Sequence, residues 1–397
     1  MTKSILSGVK VLDLSRFIAG PHCAMLLGDM GADVIKIEKV GFGDDSRHLP
    51  PFQGGESFYA LALNRNKRSI TLNFRSPEGQ EMLRQMAAQA DVLIENFRPG
   101  TMEAMGCGWD VLHELNPSLI MTRLSGFGQD GPDAMRPGFD GIAQAMSGLM
   151  SLTGDPNGPP TLAGTFYIDY TTAMYGATAT LGALLARRDT GEGQMIDVSL
   201  LDCAVALLTT AVSSQINGNQ TLGRIGNRDR YSAPANVFKT GSSDFVLLLS
   251  GTNALFKRLA QTMGRPELIE DARFATVRDR LDHVEALEAE VGAWFESLDT
   301  DTVLERLSEA GVPHAKVATP IEVVENPQLK HRGQIMEVDH PAAGKFSTPG
   351  LTMHMSQTPP SLRCPPPRLG EHTSEVLAEW LGLDGLAVDK LRDAGVV

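Results

Sequence analysis

A lone carboxylate, Asp169, stands in the stretch Gly164-Thr165-Phe166-Tyr167-Ile168-Asp169-Tyr170-Thr171-Thr172, between two aromatic residues and directly ahead of a long helical pattern. Two roles are open to it. Aspartate is a favoured helix N-cap, and its charge is stabilised at the positive end of a helix dipole. The same dipole lowers a carboxyl pKa and keeps the group ionised, which a nucleophilic carboxylate requires. The roles are compatible, and residue types alone favour the cap. Other chemistries lack their residues. The first strand-to-helix turn, Ser15-Arg16-Phe17-Ile18-Ala19-Gly20-Pro21, has one glycine where a dinucleotide fingerprint needs three, although Glu38 fits the acid at the end of the second strand. No Walker loop, HExxH, GxSxG or kinase motif set occurs. The histidines are scattered without a pair at helical metal spacing, and His113, His283 and His331 sit in polar contexts suited to solvent. Cys23, Cys107, Cys203 and Cys364 lie far apart with no CxxC spacing, so neither a zinc site nor a disulfide framework is expected. No metal site is expected at all.

The elements that must hold Asp169 follow from apolar patterning. Strands are expected over residues 9–14, 32–38, 69–73, 92–95 and 119–124, with helices from Pro21 to about Met30 and from about Pro77 to Gln89. Strands separated by single helices run parallel with right-handed crossovers, which gives an α/β, Rossmann-like open sheet. A Gly-rich stretch over 137–164 leads into a helix over 171–188, whose small residues (Ala173, Gly176, Ala177, Ala179, Gly182 and Ala183) admit a neighbouring backbone. Arg187, Arg188 and Gly191 suit its C-terminal end. A strand over 195–199 and a helix over 200–212 follow. Residues 217–230 are polar and read as a linker. Beyond them come a hairpin over 238–249 and three helical patterns over 253–310, a small domain ending near Pro327. The tail turns at Pro365-Pro366-Pro367 and closes with helices over 373–381 and 387–393.

The chain has 397 residues, 42% of them hydrophobic and 21% charged, so a folded protein of one large or two ordinary domains is expected. Its net charge of −13 argues against a sequence-independent binder of nucleic acid or anionic membrane. No run of eighteen apolar residues and no targeting segment is found, so a soluble, cytoplasmic protein is expected. The unpaired cysteines suit a reducing compartment.

Nine blocks in order carry a family resemblance. They are Gly8-Val9-Lys10-Val11-Leu12-Asp13-Leu14, Ala19-Gly20-Pro21, Leu27-Gly28-Asp29-Met30-Gly31-Ala32-Asp33-Val34-Ile35-Lys36-Ile37-Glu38, Asn64-Arg65-Asn66-Lys67-Arg68-Ser69-Ile70, Glu95-Asn96-Phe97-Arg98-Pro99-Gly100, Ser125-Gly126-Phe127-Gly128-Gln129-Asp130-Gly131-Pro132, Thr190-Gly191-Glu192-Gly193-Gln194, Gly264-Arg265-Pro266-Glu267-Leu268 and Arg368-Leu369-Gly370-Glu371-His372-Thr373. With these the chain resembles, essentially end to end, the family III CoA-transferases, which include formyl-CoA:oxalate, crotonobetainyl-CoA:carnitine and succinyl-CoA-dependent dicarboxylate transferases.

The resemblance implies that Asp169 attacks a donor thioester to give a mixed anhydride, which returning CoA thiolate converts to an aspartyl-CoA thioester. No cofactor is bound permanently; CoA thioesters and free carboxylic acids are substrates. The implied CoA contacts are Phe17, Ile18 and Ala19, then Lys39, then Leu72, Asn73, Phe74 and Arg75, then Asn96, Phe97 and Arg98, and Arg136. The cations among them suit phosphates. Ile18 stands where formyl-CoA transferases have glutamine, and Ser250-Gly251-Thr252-Asn253 replaces their glycine run. The pattern therefore resembles the succinyl-CoA:dicarboxylate branch more closely. Arg47 and His48 are candidates for a second substrate carboxylate, and Asp140 for positioning the thioester or capping a turn. The implied architecture is a Rossmann-like large domain (1–216 and 326–397), a linker (217–230), a smaller α+β domain (231–325) and an interlocked homodimer. Two rivals remain. An α-methylacyl-CoA racemase would need histidine in the triplet that here reads Gly138-Phe139-Asp140. A catalytically silent CoA-binding protein would not need the carboxylate at 169.

Overall fold

The N-terminal strands carry consecutive apolar residues whose side chains point to opposite faces in turn, so each strand feeds both faces of one sheet. The computed structural model describes residues 4–218 and 221–397. Among them the strands are β1 (Lys10–Asp13), β2 (Asp33–Glu38), a short hairpin of β3 (Phe52–Gln53) and β4 (Glu56–Ser57), β5 (Lys67–Thr71), β6 (Val92–Glu95), β7 (Ile120–Ser125) and β8 (Met195–Ser199). Six of these form a parallel sheet in the order β5-β2-β1-β6-β7-β8. Leu12, Ile35, Leu93 and Met121 face one side, where the helix Pro77–Ala87 and the C-terminal helices Thr373–Leu381 and Gly385–Asp393 complete the core. Val11, Val34, Val92, Ile94 and Ile120 face the other, against the helices Ala19–Asp29 and Tyr167–Thr190. Both faces are covered, as parallel sheets require. The small residues of the long helix serve as expected: a Cβ on Gly176 would lie 2.9 Å from Leu124 Cδ2.

The chain folds as two compact units. One comprises the chain up to Leu149, Ala163–Asn217 and Pro327–Val397; the other comprises Met150–Leu162 and Gly218–Asn326. Residues 150–162, expected in the large domain, thus belong to the second unit. Arg224 ties them there, donating to the carbonyl oxygens of Asp155 and Gly158. Much of the expected linker is likewise integrated, with Arg228 paired to Glu288 at 2.7 Å; its residues 219 and 220 lie outside the described residues. In the second unit β9 (Ala235–Lys239), β10 (Phe245–Leu249) and β11 (His314–Lys316) form an antiparallel sheet in the order β11-β10-β9. Helices Asn253–Thr262, Val277–Asp282, Val284–Glu296 and Thr300–Glu309 pack on it, where three patterns were expected. The stretch Ser250–Asn253 is anchored: the fully buried Arg280 donates to the Gly251 carbonyl and to Asn253 Oδ1. A second hairpin, β12 (Ile335–His340) and β13 (Gly344–Pro349), belongs to the first unit.

Other boundaries differ from expectation for identifiable reasons. The first helix begins at Ala19, not Pro21, so the proline is its third residue, still within the turn whose N–H groups have no intrahelical acceptor. The helix expected over 200–212 is two, Leu200–Leu207 and Thr209–Gly218, bent by 70°. Among the described residues no single helix is long and apolar enough to cross a membrane.

Candidate active site

The site is built at the C-terminal ends of β1, β6 and β7, where open α/β sheets gather their ligands. β1 ends at Asp13, which is fully buried with two lysines. Lys67 Nζ lies 2.8 Å from its carboxylate and Lys36 Nζ 3.9 Å. Burial works against this charge, but the two lysines together hold the Asp13 carboxyl below its ordinary range. The network grips the following loop from beneath. Lys36 donates to the Ser15 carbonyl and Lys67 to the Pro21 carbonyl, each at 2.8 Å. Ser15 donates its N–H and hydroxyl to Asp13. From the side, Asn96 closes a pair of bonds on Arg16: its Oδ1 accepts the Arg16 N–H at 2.8 Å and its amide donates to the Arg16 carbonyl at 2.7 Å. Phe17 takes a left-handed conformation, φ 62°, with its N–H donated to Asp44. Gly20 is required next, since a Cβ there would collide with the Ser15 side chain. Ile18 then opens the helix with no side-chain cap, leaving N–H groups for an anionic ligand.

These elements enclose a cleft of about 200 Å³. It brings together Phe17, Ile18, Ala19, Asn96, Phe97, Arg98, Arg136 and Asp169, all chosen from the sequence, and adds Arg16, Ser125 and Phe139. Arg98 and Arg136 are exposed at its edge; Arg136 pairs with Asp133 at 3.1 Å and lies over the Phe127 ring. Lys39 lines an adjoining recess that shares Arg16 and Phe97 with the cleft.

Asp169 is not the helix cap that residue types favoured. The helix begins at Tyr167, so Asp169 is its third residue, and Asp140 supplies the cap from another helix, Asp140–Met146. Asp140 Oδ2 accepts the N–H groups of Ile168 at 2.7 Å and of Asp169 at 3.0 Å. Its Oδ1 accepts the Gln144 amide, and Gln144 Oε1 accepts the Ala163 N–H. Asp140 is 5% exposed, with one oxygen holding the backbone of Ile168 and Asp169 and the other held by Gln144. The electrostatic expectation is also corrected. Burial, and then the negative charge of Asp140, push the Asp169 carboxyl up to about 7 rather than down. Asp140 thus competes for the positive helix end and repels the charge on Asp169. A carboxylate raised this way is more basic and a better nucleophile when ionised, but only about half ionised near neutrality. If the ionised form reacts, kcat/KM falls about tenfold per pH unit below 7. A pH profile flat down to 5.5 would contradict this.

Several expected site residues lie elsewhere. Leu72 is fully buried in the core and does not line the cleft. Asn73 donates to the Gly395 carbonyl and accepts from the Arg75 N–H, while Arg75 is exposed outside the cleft. Phe74 stands edge-on to Phe97. Arg47, expected to meet a substrate carboxylate, lies outside the cleft lining and is paired within the protein: it binds both oxygens of Glu38, at 2.7 and 2.8 Å, and lies 3.8 Å from Glu56. His48 stacks on Phe42 and bonds its carbonyl, away from the cleft. Glu38, which fitted a ribose-binding acid, is consumed by Arg47, Ser69 and the Asp44 N–H. Sequence reasoning missed Arg16 and the pairing of Asp140 with the Asp169 backbone. A separation of 29 residues left no local signal for that pairing.

Fold and cleft define an α/β protein that presents a half-buried carboxylate in a cleft lined by cations and by the uncapped end of a helix. The family model for CoA-transferase family III matches residues 6–373, and the chain belongs to that family. It is 38% identical to the succinyl-CoA:glutarate CoA-transferase of Homo sapiens, over 99% of this chain and 90% of that protein. It is 37% identical to the succinyl-CoA–D-citramalate CoA-transferase of Chloroflexus aurantiacus, over 96% of each. A CAIB/BAIF family protein from Brucella suis superposes with a TM-score of 0.86 at 35% identity, covering 96% of this chain and 100% of that one. The chain is a CoA-transferase acting on CoA thioesters.

Proposed function

We propose that this enzyme moves CoA from succinyl-CoA to a free dicarboxylic acid, with Asp169 as the covalent nucleophile. The observation that carries this is the placement of Asp169: a carboxylate facing the cleft, its backbone clamped by Asp140 and its basicity raised by burial. Asp169 Oδ attacks the thioester carbonyl and CoA thiolate leaves, giving an acyl-aspartyl anhydride. The thiolate then attacks the aspartyl carbonyl and free succinate departs. The acceptor carboxylate attacks the aspartyl-CoA thioester, and the same steps in reverse deliver the new acyl-CoA. The overall exchange trades one thioester for another of similar energy and needs no proton from solvent, provided water is kept from the more reactive anhydride. Arg98, Arg136 and Lys39 are suited to the phosphates of CoA, and the N–H groups after Ile18 to the developing oxyanion. The racemase reading finds no support in the cleft, where Phe139 stands beside Asp140 and no histidine is among the described lining residues.

The succinyl donor and dicarboxylic acceptor are inferred from the named activities of the relatives. An acceptor screen tests them: succinyl-CoA with a panel of carboxylic acids, new thioesters being followed by mass spectrometry. The expected result is product with one or more dicarboxylic acids; transfer to monocarboxylic acids alone would contradict the reading. We further propose an interlocked homodimer, in which the chain passes between units near Asn217 and near Asn326. Its support is apolar surface on helices of the large unit, including Ile142, Met174, Leu185 and Ile216. Light scattering is expected to give a dimer at all concentrations where the chain is folded. A stable folded monomer would overturn it.

A further inference from the structure

We propose that Arg16 anchors the distal carboxylate of the dicarboxylic substrate and sets the preference for diacids over monoacids. This rests on the dicarboxylate reading above. Such a preference needs a cation that meets the charge a monoacid lacks, and the residues that looked suited to it in the sequence are committed elsewhere. Arg47 is bound to Glu38, and His48 is stacked on Phe42 outside the cleft. Arg98 and Arg136 are exposed at the edge, where solvent screens them and the phosphates of CoA need them. Arg16 differs from both. It lines the cleft with them and with Asp169, but its side chain is less exposed, 35% against 52% for Arg136, and Asn96 fixes its backbone on both sides. Its guanidinium lies against two aromatic rings, 6.0 Å from the Phe17 centroid and 5.8 Å from that of Phe97. One terminal nitrogen is taken by Asp45 at 2.9 Å. The Nε is buried and has no hydrogen-bond partner among the described residues.

A buried donor without an acceptor is unfavourable, and a carboxylate arriving at the Nε edge relieves it. That edge matches the bidentate geometry in which arginine binds carboxylates. Asp45 offsets part of the charge and orients the guanidinium. A monoacid leaves the Nε unpaired, the arrangement in which a binding site rejects the analogue that lacks the polar group.

The experiment compares wild type with Arg16→Met and Arg16→Lys. For each, kcat/KM is measured for the best diacid from the screen and for the monoacid of equal chain length, together with the Kd of free CoA. Wild type is expected to favour the diacid by about 100-fold, and Arg16→Met to reduce that ratio to near unity while leaving the Kd of CoA unchanged. Arg16→Lys keeps a charge for Asp45 but not the Nε edge, so it is expected to retain wild-type melting and lose about tenfold of the preference. It serves if the methionine variant does not fold. Equal losses for both acids, a preference that survives in both variants, or a weakened CoA Kd with the preference intact would overturn the proposal. Failure of the underlying reading looks different: wild type itself would then transfer CoA to no diacid, and the proposal would fall with it.

Discussion

Replacing Asp169 by alanine is expected to abolish CoA transfer, lowering kcat/KM by about 10⁴-fold or more, as removal of a covalent nucleophile does. Binding of free CoA is expected to stay nearly unchanged, because the cations and helix N–H groups proposed to hold it lie on other elements. Transfer at the wild-type rate would refute the mechanism. The same position supplies an opposite effect on stability. The Asp169 carboxyl sits at about 7 in the fold against 3.8 for an unperturbed group. A group whose folded pKa is raised destabilises the fold once it must ionise, so the penalty is absent below about pH 4. It grows as pH rises through the window to 7 and is complete above it. The near-isosteric Asp169→Asn is therefore expected to be more stable than wild type at pH 8, by up to about 4 kcal/mol, and no different at pH 4. Denaturant melts at the two pH values check this. A gain that is equal at both would mean that the charge is not the cause.

The second large effect lies beneath the cleft. Lys67→Met is expected to cost about 3–5 kcal/mol of stability, because it removes one partner of a buried ion pair. Lys67 and Asp13 are fully buried and 2.8 Å apart. Lys67 also donates to the Pro21 carbonyl and Asn64 Oδ1. Methionine fills the space but takes the donor from Asn64 Oδ1, and leaves Asp13 with Lys36 at 3.9 Å as its remaining cation beside the Ser15 donors. The loop that carries Arg16, Phe17 and Ile18 loses one of its two lysine anchors, so the KM for acyl-CoA is expected to rise as well. Thermal melting and steady-state kinetics check both effects. Wild-type stability in the variant would show that the network contributes nothing net.

What the sequence revealed and what it concealed divide along physical lines. β6 and the helix Thr373–Leu381 fall where apolar patterning puts them, because both are recorded in local periodicity. β5 was expected to start at Ser69 but starts at Lys67, since a lysine inside a strand is intelligible only once its partner Asp13, 54 residues away, is known. Asp169 was found from its place before a helix, yet the cap of that helix comes from Asp140, and the elevated pKa comes from burial and then from the charge of Asp140, which no local pattern links to it. Arg47 looked available for a substrate because it follows an acidic pair in a loop that could reach one; Glu38 and Glu56, which neutralise it, reach it only in the folded chain. Long-range ion pairs and shared caps are the part of a site that composition and spacing do not encode.

The covalent role of Asp169 is tested most directly by trapping the aspartyl thioester. Enzyme mixed with succinyl-CoA is treated with borohydride, which reduces a thioester carbonyl to an alcohol, and the peptides are sequenced by mass spectrometry. The expected result is conversion of Asp169 to homoserine, dependent on the donor and absent when CoA is supplied without its acyl group. Reduction at a different carboxylate, or an unmodified Asp169 in enzyme that is turning over, would contradict the mechanism.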